Sequence, residues 1–207
     1  TPVLIVTGLA ADVSFRAKRW NIGGEGQLSV GACAATFFGT GLLEWPPWLL
    51  IPMLCLVGAF AGGLLLLVPT LLKTHLKVDE VVTTLLLNFI ILLVVNYLVF
   101  GPWKDPLAMG WPQAAPIIDQ GLLPKLLART RLHAGFLIAL AFAFGSWVLM
   151  RFTVWGYEIR AFGANPKAAG LESVPVNRTF IRTALSSGGR AGMAGVCELI
   201  GLKGYLT

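Results

Sequence analysis

Residues 151–182 read RFTVWGYEIRAFGANPKAAGLESVPVNRTFIR, the longest polar stretch of the chain, set between two runs apolar enough to cross a bilayer. Arg151, Arg160, Lys167, Arg178 and Arg182 stand there against only Glu158 and Glu172. Asn165-Pro166 suits a helix start, because Asn can cap free amides and Pro fits the first helical position. Lys167 to Leu171 then supplies a turn or two. Ser173-Val-Pro175 ends it, since a residue before proline is pushed out of the α region. A short amphipathic helix between two spans, on a basic face, predicts a docking partner; the alternative is a solvated loop.

Outward from this stretch, the composition decides the solvent. Of 207 residues, 56% are hydrophobic and 13% charged, and the mean hydropathy is +0.76. A soluble domain carries about 25% charged residues. The charges also cluster, leaving long uncharged runs. The fold class is therefore all-α: a polytopic helical membrane protein whose solvent is lipid. The net charge of +6 does not indicate nucleic acid. The Lys and Arg residues sit in loops between apolar runs, where membrane proteins keep their topology signals. Cys33, Cys55 and Cys197 fall within apolar runs and read as small core residues rather than a disulfide framework.

Taken in order, residues 2–15 read as a truncated helix. Asn21-Ile-Gly-Gly-Glu-Gly26 is non-helical by its glycines. Five full spans are expected at 27–43, 49–72, 81–100, 134–150 and 180–201. Gly31, Ala35 and Gly39 make a small-residue face on the first, and Gly58 and Gly62 on the second. The whole chain, 1–207, reads as a single transmembrane domain, expected to be incomplete at both ends and internal to a longer protein. Alternation of the spans puts residues 16–26, 73–80 and 151–179 on one side with nine basic residues, and 44–48 and 101–133 on the other with four. The positive-inside rule makes the first side cytoplasmic.

No GxxxxGK[ST] phosphate loop, nucleophile triad or paired carboxylates stand out. His75 and His133 lie at opposite faces, which argues against a metal site. No enzyme is expected. Asn88 and Asn96 are polar groups inside a span, about 80° apart around it. They face a polar pathway or bond to other helices. Gly23, Gly24, Glu25 and Gln27 surround a glycine break before a helix, where freed backbone commonly lines a transporter cavity; the alternative is a surface turn. Arg182 is near a span end and can snorkel. Arg190 and Glu198 lie deeper, to pair or to meet other helices.

Several strings together resemble a known family. They are Asn21-Ile-Gly-Gly-Glu-Gly-Gln27, Leu85-Leu-Leu-Asn88, Asn96-Tyr-Leu98, Gly101-Pro-Trp-Lys-Asp-Pro106, Arg131-Leu-His-Ala-Gly135, Gly156-Tyr-Glu-Ile-Arg-Ala161, Gly163-Ala-Asn-Pro-Lys-Ala-Ala169, Ser187-Gly188 and Ala191-Gly-Met-Ala-Gly195. Their order resembles permease subunits of ABC importers, in the nucleoside and simple-sugar branch related to ribose and branched-chain amino-acid permeases. The resemblance implies a multi-pass subunit of the cytoplasmic membrane. It implies a second permease subunit, a cytoplasmic ATP-binding-cassette ATPase that holds ATP and Mg, and an extracytoplasmic solute-binding protein, with no cofactor in this chain. It implies a coupling helix at Asn165, Pro166, Lys167, Ala168, Ala169 and Gly170 within the cytoplasmic loop 151–179. It also implies a solute pathway along Gly23, Gly24, Glu25, Gln27, Asn88 and Asn96. Nucleosides are the expected solute. A simple-sugar permease, or an ATP-independent transporter or channel, is the alternative. The chain departs from the family pattern at Lys18-Arg19-Trp20 and at Arg190, both usually apolar.

Overall fold

The computed structural model describes residues 2–40, 45–108, 110–124, 133–165, 169 and 175–206. Within them the chain forms α1 (Pro2–Arg16), α2 (Gly24–Gly39), α3 (Pro47–Leu76), α4 (Glu80–Phe100), a 3-10 turn at Asp119–Gly121, α5 (Gly135–Phe152), α6 (Val154–Ala164) and α7 (Val176–Glu198). A π-helical turn, Leu199–Lys203, continues α7. No strand occurs among the described residues, and the all-α expectation holds.

The helix ends have local causes. Pro46 and Pro47 open α3, where the missing N–H costs nothing. Lys77, at φ 56°, closes it in the left-handed region. Asp79 caps α4, its side chain accepting from the Val81 N–H at 2.7 Å. At 30 residues α3 is longer than a bilayer requires, and its last turn carries Lys73 and His75.

Three helices are long and apolar enough to cross a membrane on length and composition: α3, α4 and α5. The other two expected spans also fold as helices, but not on those terms. Helix α2 has 16 residues. Helix α7 has 23, many of them Gly, Ser, Thr or Arg. The reason is position: α7 packs against α3, α2 and α1, so most of it meets protein rather than lipid.

Close approach explains its glycines. A Cβ at Gly192 would stand 2.2 Å from the Gly58 carbonyl oxygen, and one at Gly188 would stand 2.5 Å from that of Gly62. A Cβ at Gly31 of α2 would come within 2.1 Å of the Gly192 carbonyl oxygen. The small-residue faces on α2 and α3 therefore meet a third such face on α7. Polar side chains tie the same core together. Ser14 of α1 donates to Ser187 Oγ at 2.7 Å. Ser187 donates in turn to the Ala10 carbonyl at 2.7 Å.

Described residues of the segments expected on one side of the membrane gather at one end of the bundle. There the buried Arg19 reaches α3, α4 and α7. Its guanidinium donates to Thr70 Oγ1 at 2.6 Å, to the Phe180 carbonyl at 3.1 Å and, through Nε, to Glu80 Oε1 at 2.7 Å. Lys73 Nζ lies 2.7 Å from the other Glu80 oxygen, and the Phe180 ring lies 4.2 Å from the Arg19 guanidinium carbon. Arg19, one of the nine basic residues of that side and a departure from the family's apolar pattern, joins three helices. At the opposite end, residues 101–108 and 110–124 fold back over the bundle. Ile117 N–H donates to the Gly204 carbonyl at 2.8 Å, and Ala114 N–H to that of Leu206 at 2.9 Å.

The basic stretch contains more helix than its sequence signals suggested. Helix α6 occupies residues where only a loop was expected. Thr153 opens it by accepting from the Gly156 N–H at 3.1 Å. Gly156 allows it to fold tightly on α5, since a Cβ there would lie 2.2 Å from the Leu149 carbonyl oxygen.

Candidate functional site

The first turn of α2, the middle of α4 and the C-terminal end of α7 leave a cleft of about 270 Å³. Its polar walls are Glu25 and Ser29 of α2, Asn96 of α4, Glu198 of α7, and Lys203 and Tyr205 just beyond α7. Leu28, Leu92, Val95 and Leu206 supply its apolar surface. The volume is near the lower end of ligand clefts, roughly 300 Å³. Apolar walls with a few polar groups suit a small solute that carries both a hydrophobic face and hydroxyls or amides.

Each polar wall has a structural origin. Helix α2 starts at Gly24, inside the Asn21–Gly26 stretch expected to be non-helical, so that Glu25 falls in its first turn, where the helix dipole favours a carboxylate. The π turn after Glu198 widens the end of α7 and delivers Lys203, and Gly204 at φ 73° turns the chain so that Tyr205 enters the cleft. Among the six residues expected along a pathway, Glu25 and Asn96 line this cleft together. Asn88 stands beside it, its amide donating weakly to Glu25 Oε2 at 3.5 Å. The Asn88 side-chain oxygen Oδ1 is buried and without a partner among the described residues.

Gln27 and Gly23 do something different. Asn21 and Gln27 bond through both ends of their amides, at 3.1 and 2.9 Å. Asn21 Oδ1 also accepts from the Gly23 N–H at 3.1 Å. Gln27 is 2% exposed. These bonds hold the non-helical turn in shape and set the angle at which α2 begins. Gly23 packs on α4, where a Cβ would lie 3.1 Å from the Thr84 carbonyl oxygen. Gly24 is half-buried with open space beside it.

Tyr205, Lys203 and Ser29 were not anticipated. Tyr205 and Lys203 follow the last expected span, where no periodic signal marks them. Glu198 was noticed as an intramembrane charge; it lines the cleft, while the charge of Arg190 is attracted to Asp12 of α1. Arg190 and Glu198 form no ion pair. His133 is a loop residue, as expected, and is buried.

In the coupling stretch, Asn165 and Ala169 are the residues described; Pro166, Lys167, Ala168 and Gly170 lie outside the described residues. Asn165 ends α6 in an extended conformation. Its carbonyl accepts from the Ala169 N–H at 3.0 Å, the spacing of a helical turn. Ala169 is buried.

The chain matches the family described as branched-chain amino acid transport system / permease component over residues 1–205. It is 33% identical over 202 residues to the guanosine ABC transporter permease protein NupP of Bacillus subtilis, covering 97% of this chain and 58% of that one. It is 31% identical to the glucose ABC transporter permease protein TsgB13 of Haloferax volcanii, covering 97% and 55%. It is 26% identical to the nucleoside ABC transporter permease protein NupB of Lactococcus lactis, covering 93% and 55%. No solved structure matches. The chain thus spans a little over half the length of these relatives. With its apolar helices and the match along nearly its whole length, this multi-pass membrane chain belongs to the branched-chain amino acid transport system permease family.

Proposed function

We propose that the chain forms transmembrane helices of an ABC importer permease that carries nucleosides across the cytoplasmic membrane. The observation behind this reading is the likeness to a guanosine permease along 97% of the chain. The cleft suits it. Carboxylates at Glu25 and Glu198 can accept from ribose hydroxyls, the Asn96 amide can read a base edge, and the Tyr205 ring offers a face for stacking. A second reading, a simple sugar, has its own support in the glucose permease relative.

In the proposed cycle the chain performs no covalent chemistry. ATP and Mg are bound by a separate cytoplasmic ATPase, which docks on residues 165–170. A solute-binding protein delivers the solute from outside, and a second permease subunit completes the pathway. ATP binding closes the ATPases, and the motion passes through the loop to α6 and α7. The Arg19 cluster lies where α7 begins, so that movement there reaches α3 and α4. Coupling requires the ATPase to favour one of the two pathway states.

The test is uptake into vesicles holding the natural-length permease, its ATPase and its binding protein, with labelled nucleosides, simple sugars or branched-chain amino acids. ATP-dependent uptake of nucleosides is the expected outcome. Uptake of sugars alone would favour the second reading, and uptake indifferent to ATP would overturn both. Ala169→Lys is expected to leave membrane insertion intact while ATP hydrolysis continues without uptake. Unaltered transport in that variant would remove residues 165–170 from the coupling role.

A further inference from the structure

A second concavity lies away from the solute cleft and shares no lining residue with it. It is a groove of about 330 Å³ between α1, α5 and α6. Arg16, at the end of α1, Arg151, in the last turn of α5, and Arg160 of α6 converge on it. Asp12 is the single carboxylate in the lining, and it is held by Arg16 at 2.8 Å. Arg151 and Arg160 form no ion pair among the described residues. The groove thus carries a net surplus of two positive charges at one end. The rest of its lining is mostly apolar and suited to a chain rather than a headgroup: Leu9, Ala143, Met150 and the Trp147 ring, with Ser146, whose hydroxyl donates to the Phe142 carbonyl at 2.6 Å.

The surroundings identify a membrane-facing site. Trp147 packs against Phe144 at 5.8 Å and Phe152 at 5.3 Å, and all three rings are more than half exposed. Tyr157, one turn before Arg160, is also exposed. Aromatic rings beside arginines at a helix end mark the headgroup level of a bilayer. Guanidinium groups grip phosphate oxygens in pairs, with geometry that a carboxylate-lined solute site lacks. Basic pockets between transmembrane helices are the physical setting for anionic headgroups.

We infer that this groove is a binding site for an anionic phospholipid. Arg151 and Arg160 hold its phosphate, and an acyl chain lies along Leu9, Ala143 and Trp147. The site needs neither the transport cycle nor a particular solute.

The experiment uses the natural-length permease, purified in mild detergent and titrated with phosphatidylglycerol or phosphatidylcholine under native mass spectrometry. Wild-type protein is expected to retain phosphatidylglycerol in preference to phosphatidylcholine. The double substitution Arg151→Gln/Arg160→Gln should weaken that retention about thirtyfold, from the loss of two charges beside an anionic group. Arg178→Gln, at the same end but outside the groove, should change it little. Circular dichroism of the double variant checks its fold, since both arginines are exposed. Equal retention by wild type and double variant overturns the inference, as does equal retention of the two lipids. Protection by sn-glycerol 3-phosphate as effective as by phosphatidylglycerol would make the groove a soluble phosphate site instead. Loss of ATPase co-purification with lipid retention unchanged would make it a protein-docking surface.

Discussion

Helices α4 and α7 have nearly the same length and opposite chemistry. Helix α4 is almost wholly apolar, yet much of it is exposed: Val82, Leu86, Phe89, Ile90, Leu93, Val94, Tyr97 and Phe100 all point outward. Its buried stripe begins Glu80, Thr84, Asn88, the polar residues spaced one turn apart. Helix α7 is poor in large apolar side chains and sits at the centre of the bundle. Its buried surface includes Thr179, Thr183, Ser187 and Arg190 together with glycines. Lipid replaces water as the solvent of the outer face, so apolarity there reports exposure. Helix contact in lipid gains nothing from hiding leucine, and rests instead on close backbone approach and hydrogen bonds.

The largest effect to expect from this contrast is at Gly192. A Cβ there meets the Gly58 carbonyl oxygen at 2.2 Å and the Gly62 Cα at 3.0 Å, backbone atoms that cannot rotate away. Gly192→Leu should therefore prevent α3 and α7 from docking, at a cost above about 3 kcal/mol. Size-exclusion chromatography in detergent should show no monodisperse peak. Leu93→Trp, a larger insertion on the outer face of α4, should leave that peak in place. If both variants behaved alike, α7 would not be the packed centre.

Next in size is the charge cluster around Arg19. Glu80→Gln removes the carboxylate facing a fully buried guanidinium, which should cost about 3–5 kcal/mol. The double variant Arg19→Met/Glu80→Met should recover much of that loss, because the unpaired charge is gone. Thermal melting of wild type, Arg19→Met, Glu80→Met and Arg19→Met/Glu80→Met gives the coupling energy directly. A strictly additive double variant would reduce Arg19 and Glu80 to neighbours without a partnership.

These two sites also mark how far the sequence alone could be read. Helices α3, α4 and α5 were legible because each is a long apolar run in a medium that rewards nothing else. The small-residue faces on α2 and α3 were legible too, since Gly31, Ala35 and Gly39 on one, and Gly58 and Gly62 on the other, repeat every four residues. What the faces met was not legible, because Gly188 and Gly192 are more than a hundred residues away. The Arg19–Glu80 pair spans 61 residues and leaves no local trace. Helix α6 was hidden by charges that mimic a loop. In the cleft, Glu25 and Asn96 could be suspected as polar groups in apolar runs, whereas Tyr205 depends on a turn at Gly204 that only the folded chain reveals.

A smaller, pH-dependent effect separates the two helices at their far end. His133 is buried against the continuation of α7, where a Cβ on Gly201 would lie 2.3 Å from its ring. Its Nδ1 accepts from the Gly135 N–H at 3.2 Å, which puts the proton of the neutral ring on Nε2. Burial pushes its pKa below the usual value of about 6.5. The unfolded chain therefore binds the proton first. This contribution is intact above pH about 6.5 and is lost as the pH falls through that value toward the lower folded one. The unfolding free energy of wild type should fall more steeply from pH 7 to pH 5 than that of His133→Asn, by at most about 1.4 kcal/mol per pH unit. Carboxylate titration is common to both proteins and cancels in the difference. Parallel curves would mean that the ring is reached by water.

The smallest expected effect is the one most specific to a lipid solvent. Leu93 of α4 is 69% exposed. In a soluble protein such a residue invites a polar replacement, and here it should resist one. Leu93→Ala removes contacts with acyl chains that refill the space, so its cost should stay within about 0.5 kcal/mol. Leu93→Asn exposes an amide where nothing can satisfy it, and should cost more than the alanine even though the side chain is larger. Thr84, about two and a half turns earlier and so on the inward stripe, reverses the order. Its hydroxyl donates to the Glu80 carbonyl at 2.8 Å, and a polar neighbour is already present in Asn88. Thr84→Ser should be nearly silent, and Thr84→Leu should be the damaging change, because α2 lies against it at Gly23. The two positions thus follow opposite substitution rules on one helix. Melting temperatures of the four variants in lipid nanodiscs would measure that inversion, and a shared rule would mean that both faces of α4 meet the same surroundings.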